Sequence, residues 1–388
     1  MGQPANGPTP PKARLLGLDL LRLLAVVLVL GRHMPPPPDW WPTGLRLPFL
    51  LWIRGGWVGV DLFFVLSGFL VSGLLFTEFK ARGRLGVGRF YTRRGWKIYP
   101  PFFALIAVTV AVGVFREESM PWAGLASEVF FLQSYWPGLW NHTWSLAVEE
   151  HFYVLLPLML ALILRCSRGS KTPLRPILLV AAIAAAATLL LRILNWQMRP
   201  TYSYLTHHFA THLRLDSLLF GVAIAYAYHF HSDSFTKRLT PWRIPLVLGG
   251  AMLLLPAFVF DLESTPFLYT FGFSLFYIGS GMMLVGILLS EMPRRGPALL
   301  LAALGAYSYS IYLWHMPVLH WGVPLLEWAN GGPVHVAARI AAYIGGSFCF
   351  GIVMAKLVEL PVLRLRDRLF PSRSPGAVAV GSRQVTPS

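Results

Sequence analysis

The sequence predicts an all-α, polytopic integral membrane protein of about ten transmembrane helices, with both termini in the cytoplasm. Three observations predict it. Hydrophobic residues make up 55% of the 388 and charged residues 13%, with mean hydropathy +0.56; about a quarter of a soluble domain is charged. Apolar runs of about 20 residues, the length that crosses a bilayer, recur along the chain. Lysine and arginine crowd into alternate connecting segments, as they do on the cytoplasmic side of membrane proteins.

The first span, Leu18–Met34, is stopped by Pro35–Pro38. It has no small-residue cleavage site, so it is expected to stay as a span and not to act as a signal peptide. The second, Trp57–Phe79, opens on Gly55-Gly56-Trp57-Val58-Gly59-Val60-Asp61. The third, Ile98–Phe115, follows a basic stretch. The fourth, Thr143–Leu164, enters as His142-Thr143-Trp144-Ser145-Leu146-Ala147-Val148-Glu149-Glu150-His151. The others are Ile177–Leu194, Phe209–Phe230, Ile244–Phe260, Phe267–Ser290, Pro297–Leu319 and Val336–Val358. Residues 1–14 read as a Pro/Gly-rich disordered tail, 15–362 as one transmembrane domain and 363–388 as a basic, disordered tail.

With the N-terminus inside, about 23 basic residues lie on the inner side and about four outside (Arg46, Arg54, Arg116 and Arg199). The net charge of +16 is therefore chiefly a topology signal, with attraction to an anionic inner leaflet. No base-reading or stacking motif accompanies it, so nucleic acid is not expected as a partner. The two cysteines, Cys166 and Cys349, imply neither a disulfide framework nor metal spacing. There is no repeat of fixed period, no nucleophile elbow, no Walker A loop, no dinucleotide fingerprint and no zinc-binding H-E-x-x-H. His33 to Asp39 is one residue too long for an H-x4-D motif.

The first span carries the most informative pair. An arginine inside a membrane helix costs several kcal/mol unless something uses it. Arg22 and His33 lie eleven residues apart, about 20° off the same face and about 16 Å apart along a helix. That sets a fixed cation and a titratable base on one interior face at different depths. Alone, His33 would read as interfacial; its alignment with Arg22 makes it the candidate base. Asp61 falls about a turn inside the outer surface, either paired with a basic group or serving the site. Adjacent Glu149 and Glu150 point about 100° apart, so one faces the interior and the other is a structural partner. Arg214 and Asp216 do not face each other and each needs a partner on another helix. His315 lies in the outer half of the ninth span. His142, His207, His208 and His212 read as surface histidines. In the inner segment from Lys80 to Lys97, seven basic residues alternate with aromatics. Topology explains the charge but not the interleaving, and Arg93, Arg94 and Lys97 share about a turn that could grip a phosphorylated cytoplasmic ligand.

These residues carry a resemblance. LDLLRLLAVVLVLGRH resembles the first helix of the membrane-bound acyltransferase-3 family, with its arginine, ten residues, then histidine. GWVGVDLFFVLSGFL, FYTRRGWKIYPPFF, HTWSLAVEEHFYVLLPL, RLDSLLFGVAIAY and LGAYSYSIYLWHMPV are similar to its later motifs, in order, over residues 15 to 362. Leu20 and Leu23 stand where the family often has glycine, which bears on helix packing, and His151 stands where Gln is common. The chain resembles the stand-alone members, without an appended hydrolase-like domain.

The resemblance implies a multi-pass plasma-membrane (inner-membrane) O-acyltransferase. Acyl-CoA, most simply acetyl-CoA, would be co-substrate, no cofactor would be permanently bound, and the acceptor would be a hydroxyl of a saccharide or glycosylated molecule. Arg93, Arg94 and Lys97 would meet the CoA pyrophosphate and Arg22 would guide the acyl arm. His33 would act as general base or carry the acyl group itself. Glu149, Glu150 or Asp61 would orient its imidazole. The competing reading is a transporter or flippase of lipid-linked saccharide, which shares intramembrane charge but for which no inverted repeat is seen; a passive scaffold leaves Arg22 and His33 unexplained.

Overall fold

The structure is a computed structural model that describes residues 12–292 and 295–371, and among them there is no β-strand. The helices are α1 (Lys12–His33), α2 (Thr43–Gly55), α3 (Gly59–Arg82), α4 (Val87–Phe115), α5 (Trp122–Val129), α6 (Trp144–Cys166), α7 (Pro176–Met198), α8 (Leu215–Phe230), α9 (Ser232–Leu239), α10 (Arg243–Leu254), α11 (Pro256–Val259), α12 (Phe273–Leu288), α13 (Pro297–Ala306), α14 (Ser308–Pro317), α15 (Val323–Ala329), α16 (Val336–Met354) and α17 (Leu360–Leu369). The protein is an all-α, polytopic membrane protein.

Six helical stretches are long and apolar enough to cross a membrane, or seven if the bent pair from Pro297 to Ala329 is one span. Each of the ten expected segments is helical, but four depart from a simple spanning rod. The first, α1, carries Asp19, Arg22 and Arg32. The sixth, α8, is only 16 residues long, because π and 3₁₀ turns over Tyr204–Phe209 and Thr211–Leu213 precede it. The tenth, α16, has 19 residues and runs on into a π-turn at Ala355–Glu359. The ninth is broken by 66° at Tyr307.

Two other boundaries moved. α4 starts at Val87, so the basic stretch expected to precede the third span is itself helical through Lys97. The C-terminal segment expected to be disordered from residue 363 begins as α17, with Leu363 and Arg366 buried. At the other end, helix begins at Lys12. The rest of both expected tails, and Arg294, lie outside the described residues.

α3 is the central helix. The most apolar part of its stretch is 78% buried, against 22% for the peripheral α7. Leu179, Ile183 and Leu190 of α7 are exposed, the apolar surface that a bilayer covers. α3 and α8 approach at glycines. A Cβ on Gly68 would lie 1.9 Å from the Leu218 carbonyl oxygen, and one on Gly221 would lie 2.2 Å from that of Val65. Small residues that admit close backbone approach are the usual means of packing membrane helices.

Two ends of the bundle are defined by contacts between connecting segments. At one, Trp40 meets His335 and Tyr204 bonds to Glu263. At the other, Arg93 bonds to Asp367 and Lys80 to the His229 carbonyl.

Candidate active site

α1 runs between two polar centres. At its C-terminal end, His33 is half-buried and its ring centroid lies 5.2 Å from that of His315 on α14. His315 in turn lies 4.9 Å from His142, just before α6. His142 and His315 are 2% and 0% exposed. Three imidazoles from three distant segments thus form one cluster.

Hydrogen bonds set the tautomers of two of them. His315 Nδ1 lies 2.5 Å from the Tyr312 carbonyl oxygen and His142 Nε2 lies 3.1 Å from that of Leu313. A carbonyl can only accept, so each of those nitrogens carries the hydrogen. The other nitrogens, His315 Nε2 and His142 Nδ1, are buried and have no hydrogen-bond partner. In the neutral rings they are lone-pair acceptors. Tyr312 holds the cluster from below: its hydroxyl donates to the His142 carbonyl at 2.6 Å and therefore accepts from Ser145 Oγ, also at 2.6 Å.

The second centre lies about three turns back along α1. Arg22 Nη1 bonds to Asp19 Oδ1 at 2.7 Å, so α1 supplies its own counter-ion. Lys97 and Arg94 of α4 join it. Lys97 interacts electrostatically with Arg22, Arg94, Glu359 and Arg366. The Arg94 guanidinium lies 3.9 Å over the Tyr153 ring and interacts with Glu149 and Glu150. Glu150 accepts from Tyr99 at 3.2 Å. Glu359 accepts from Ser310 at 2.7 Å. The Arg94 Nε and Glu150 Oε1 atoms are buried without a partner.

The structure brings Arg22, Arg94 and Lys97 together and divides the other expected assignments. Arg93 turns away from Arg94 and pairs with Asp367 of α17 at 3.0 Å; neighbours on a helix point about 100° apart. The basic trio is therefore two cations facing the interior and one facing the C-terminal helix, each with carboxylates nearby. Glu149 and Glu150 belong to the Arg94 centre and make no hydrogen bond to His33, because they lie one to two turns along α6 from His142. Asp61 does not orient His33 either. Its Oδ1 accepts from Arg214 Nη2 at 2.7 Å, both side chains being 1% exposed. Asp216 pairs with Arg192 of α7 at 2.6 Å, so Arg214 and Asp216 each take a partner from another helix, as their spacing predicts. Arg214 is also held 4.0 Å over the Phe273 ring. These pairs tie α3, α7 and α8 together; removing one partner would leave a buried charge.

Sequence reasoning missed His142, Asp19 and Glu359 as members of these centres. Asp19 could have been found: it precedes Arg22 by three residues, the spacing of a helical ion pair. His142 gave no signal, because only the fold brings it to His315. Near the cluster, Glu128 is fully buried. Its carboxylate accepts from the Trp140 backbone at 3.0 Å, Thr143 Oγ1 at 2.8 Å and Gln133 Nε2 at 2.9 Å. Burial pushes its carboxyl up to about 7. Among the described residues no group of three or more His, Cys, Asp or Glu is placed to hold a metal ion.

Comparison with known proteins agrees with the resemblance of the motifs. The chain matches the family described as "Acyltransferase domain", the acyltransferase-3 family, over residues 15–356. It is 27% identical over 376 residues to the peptidoglycan O-acetyltransferase OatA of Listeria monocytogenes, covering 89% of this chain and 55% of the relative. It is 27% identical over 330 residues to the O-acetyltransferase OatA of Staphylococcus aureus, covering 79% and 50%. The putative peptidoglycan O-acetyltransferase YrhL of Bacillus subtilis is 26% identical over 359 residues, covering 84% and 51%. The chain spans about half the length of these curated relatives. No solved structure matches it. With a family match over nearly the whole described bundle, the chain belongs to the acyltransferase-3 family.

Proposed function

We propose that this protein transfers an acyl group, in the simplest case acetyl, from acyl-CoA to a hydroxyl of a saccharide or glycosylated acceptor at the plasma membrane. The observation that carries this reading is the His33–His315–His142 cluster, with two lone pairs already fixed and unpartnered. The names of the relatives, O-acetyltransferases of peptidoglycan, support an acetyl group and a saccharide.

In this reading CoA enters at the Arg93 end. Its phosphates take up the guanidinium groups of Arg93 and Arg94 and the Lys97 ammonium, displacing the carboxylates that now accompany them. Arg22 lies further along α1, on the route of the acyl arm. At the far end, His33 takes the proton of the acceptor hydroxyl as its oxygen attacks the thioester carbonyl. The C–S bond breaks, CoA leaves as the thiolate, and the proton passes to that sulfur. A two-step route, with the acyl group carried by His33, uses the same nitrogen. The unpartnered lone pair of His315 Nε2 would accept the other ring N–H of His33 and hold its orientation. That is the part a carboxylate plays in a hydrolase triad, and among the described residues no carboxylate lies within hydrogen-bond distance of His33.

The test is thioester cleavage by the purified chain in liposomes, with acetyl-labelled CoA and a saccharide acceptor. Free CoA should be measured by chromatography, because Cys166 and Cys349 are exposed thiols that would consume a thiol reagent. Acceptor-dependent release of CoA with label on the saccharide is expected. Movement of saccharide across the vesicle without cleavage would establish a transporter instead.

A further inference from the structure

The structure holds a cleft of about 390 Å³ beside the histidine cluster, lined among others by Gln133, Trp140, Asn141, Tyr202, Tyr204 and Phe209. We infer that this cleft binds one or two sugar rings of an uncharged saccharide segment, and so presents the acceptor hydroxyl to His33. The inference rests on the acyl-transfer reading for the purpose of the site, but not for its existence.

Chemistry of the lining indicates the ligand. Four of these residues offer aromatic faces, on which the C–H face of a pyranose can lie. The other two are amides, which both donate and accept and so match sugar hydroxyls. No Lys, Arg, His, Asp or Glu lines the cleft, so it has no means of selecting a charged group. Its volume lies in the range of small-molecule sites, about 300–1,000 Å³. That suits a short segment and not a whole polymer.

Gln133 provides the second, independent observation. Its side chain is 3% exposed and its Nε2 is committed to Glu128 Oε2 at 2.9 Å. Gln133 lines the cleft, and its Oε1 is buried and has no partner. A buried acceptor left unpaired is costly, and a sugar hydroxyl or N-acetyl N–H donating to it, once the amide turns toward the cleft, would recover that cost.

The cleft also lies close to the histidine cluster. The Trp140 ring that forms one wall lies 6.0 Å from the His142 ring and 5.9 Å from that of His320. His142 is in turn the neighbour of His315, which faces His33. Both walls are held before any ligand arrives. Glu128 pins Gln133, Trp140 and Thr143 on one side. On the other, the Tyr204 hydroxyl accepts from Arg32 at 2.6 Å and donates to Glu263 at 2.7 Å. Arg32 is the residue before His33, so occupancy of the Tyr204 wall is felt directly at the catalytic end of α1.

The experiment is ligand-observed saturation-transfer NMR on the full chain in detergent micelles. The probes are cellobiose, lactose and N,N′-diacetylchitobiose, with a glucuronic-acid disaccharide as the charged comparison. The variants are Tyr202→Ala, Asn141→Ala (an exposed side chain, so that folding is not at stake) and Trp328→Ala, which is 79% exposed and off the cleft. At least one neutral probe should bind wild type and Trp328→Ala more tightly than the charged disaccharide does. Each cleft variant should weaken it by about five- to tenfold, the worth of one hydrogen bond or one ring contact. Binding that is unchanged in both cleft variants, or absent for all neutral probes, overturns the cleft. A protein that binds the probes through Tyr202 and Asn141 but never cleaves acetyl-CoA keeps the cleft and loses the acyl-transfer reading. One that transfers acetyl with an unchanged acceptor KM in both variants does the reverse.

Discussion

His315 shows how a single buried ring can be tested without opening the fold. Its Nδ1–H is spent on the Tyr312 carbonyl, and only Nε2 is left for chemistry. Asparagine places an amide N–H near the position of Nδ1 and nothing at Nε2. His315→Asn should therefore keep wild-type abundance and donor binding while kcat falls. His33→Ala should fall further, by the ~10²–10⁴-fold typical of general-base loss. A His315→Asn enzyme with normal kcat would remove the ring from the mechanism, and more than about a tenth of wild-type activity in His33→Ala would remove His33. Glu128 supplies a pH dependence whose sign can be worked out. Its carboxyl, pushed up to about 7 by burial from an ordinary 4.5, binds a proton more tightly folded than unfolded. The stability this contributes is present below about 4.5 and lost as pH rises through about 7. Thermal melts in detergent should show wild type losing stability between pH 5 and pH 8. Glu128→Gln, which cannot ionise, should lose less over the same interval. At this scale His33 was legible because Arg22 shares its helix and fixes a face. The approach of His142 to His315 was not, since a contact between residues so far apart in sequence has no local period to announce it.

Helices were legible where apolar length alone decides, and less so where the backbone is interrupted. Nothing in PALLLAALGAYSYSIYLWHMP marks Tyr307 as a 66° bend, and the π-turn at Tyr204–Phe209 carries no proline or glycine at the break that would have shown it, unlike Val318–Gly322, which Pro317 precedes. Such turns concentrate at functional sites, and here they bring Tyr204 to the cleft and His320 to Trp140. The departure from the family's glycines at Leu20 and Leu23 has a local answer: Gly305 of α13 makes the close approach to α1 instead, where a Cβ would lie 1.8 Å from the Asp19 carbonyl oxygen. The α3–α8 contact is the most exacting test of helix packing. Gly68→Leu has no space to relax into, since the atom it meets is backbone. It should cost more than the ~1–3 kcal/mol of ordinary overpacking and lower the yield of folded protein. Gly44→Ala, with nothing within 4 Å, should be neutral, and a folded, fully active Gly68→Leu would show that α3 and α8 do not pack this way. α17 makes a different prediction. Its Asp367 pairs with Arg93 at 3.0 Å while both side chains stay partly exposed, a pair worth about 1 kcal/mol at most. If CoA phosphate has to displace this carboxylate, Asp367→Asn should tighten acyl-CoA binding by up to about fivefold. Isothermal titration with non-hydrolysable donor would check it; weaker binding would mean that α17 builds the donor site and does not compete with it.

Across the whole molecule the proposed reaction would be divided by depth between the two polar centres, and that division can be probed by variants at either end. Arg93→Gln combined with Arg94→Gln should weaken acyl-CoA binding by two orders of magnitude or more, at ~1.5–3 kcal/mol for each lost charge-assisted hydrogen bond. His33→Ala should leave it intact, because about 16 Å of helix separates His33 from Arg22. A double variant that binds donor normally yet turns over slowly would move Arg93 and Arg94 from binding to assembly. Which end faces the cytoplasm follows from charge. The segments joining α3 to α4 and α6 to α7, together with α17, carry the basic residues at the Arg93 end, whereas the cleft, Glu263 and the histidine cluster share the other. On the proposed reading, the excess of Lys and Arg would place the Arg93 end inside, on the side of acyl-CoA, and the cleft outside, on the side of an exported saccharide. Because α4 is already helical through Lys97, reporter insertions belong in the turns and not after Lys97. Insertions at Gly83–Gly86 and at Gly169 should read cytoplasmic, and those at Glu117–Met120, Arg199–Ser203 and Gly331 should read external. An external signal at Gly83–Gly86 would turn the bundle over, put Arg93 and Arg94 beyond the reach of cytoplasmic CoA, and remove the donor site while leaving the histidine cluster to be explained in some other way.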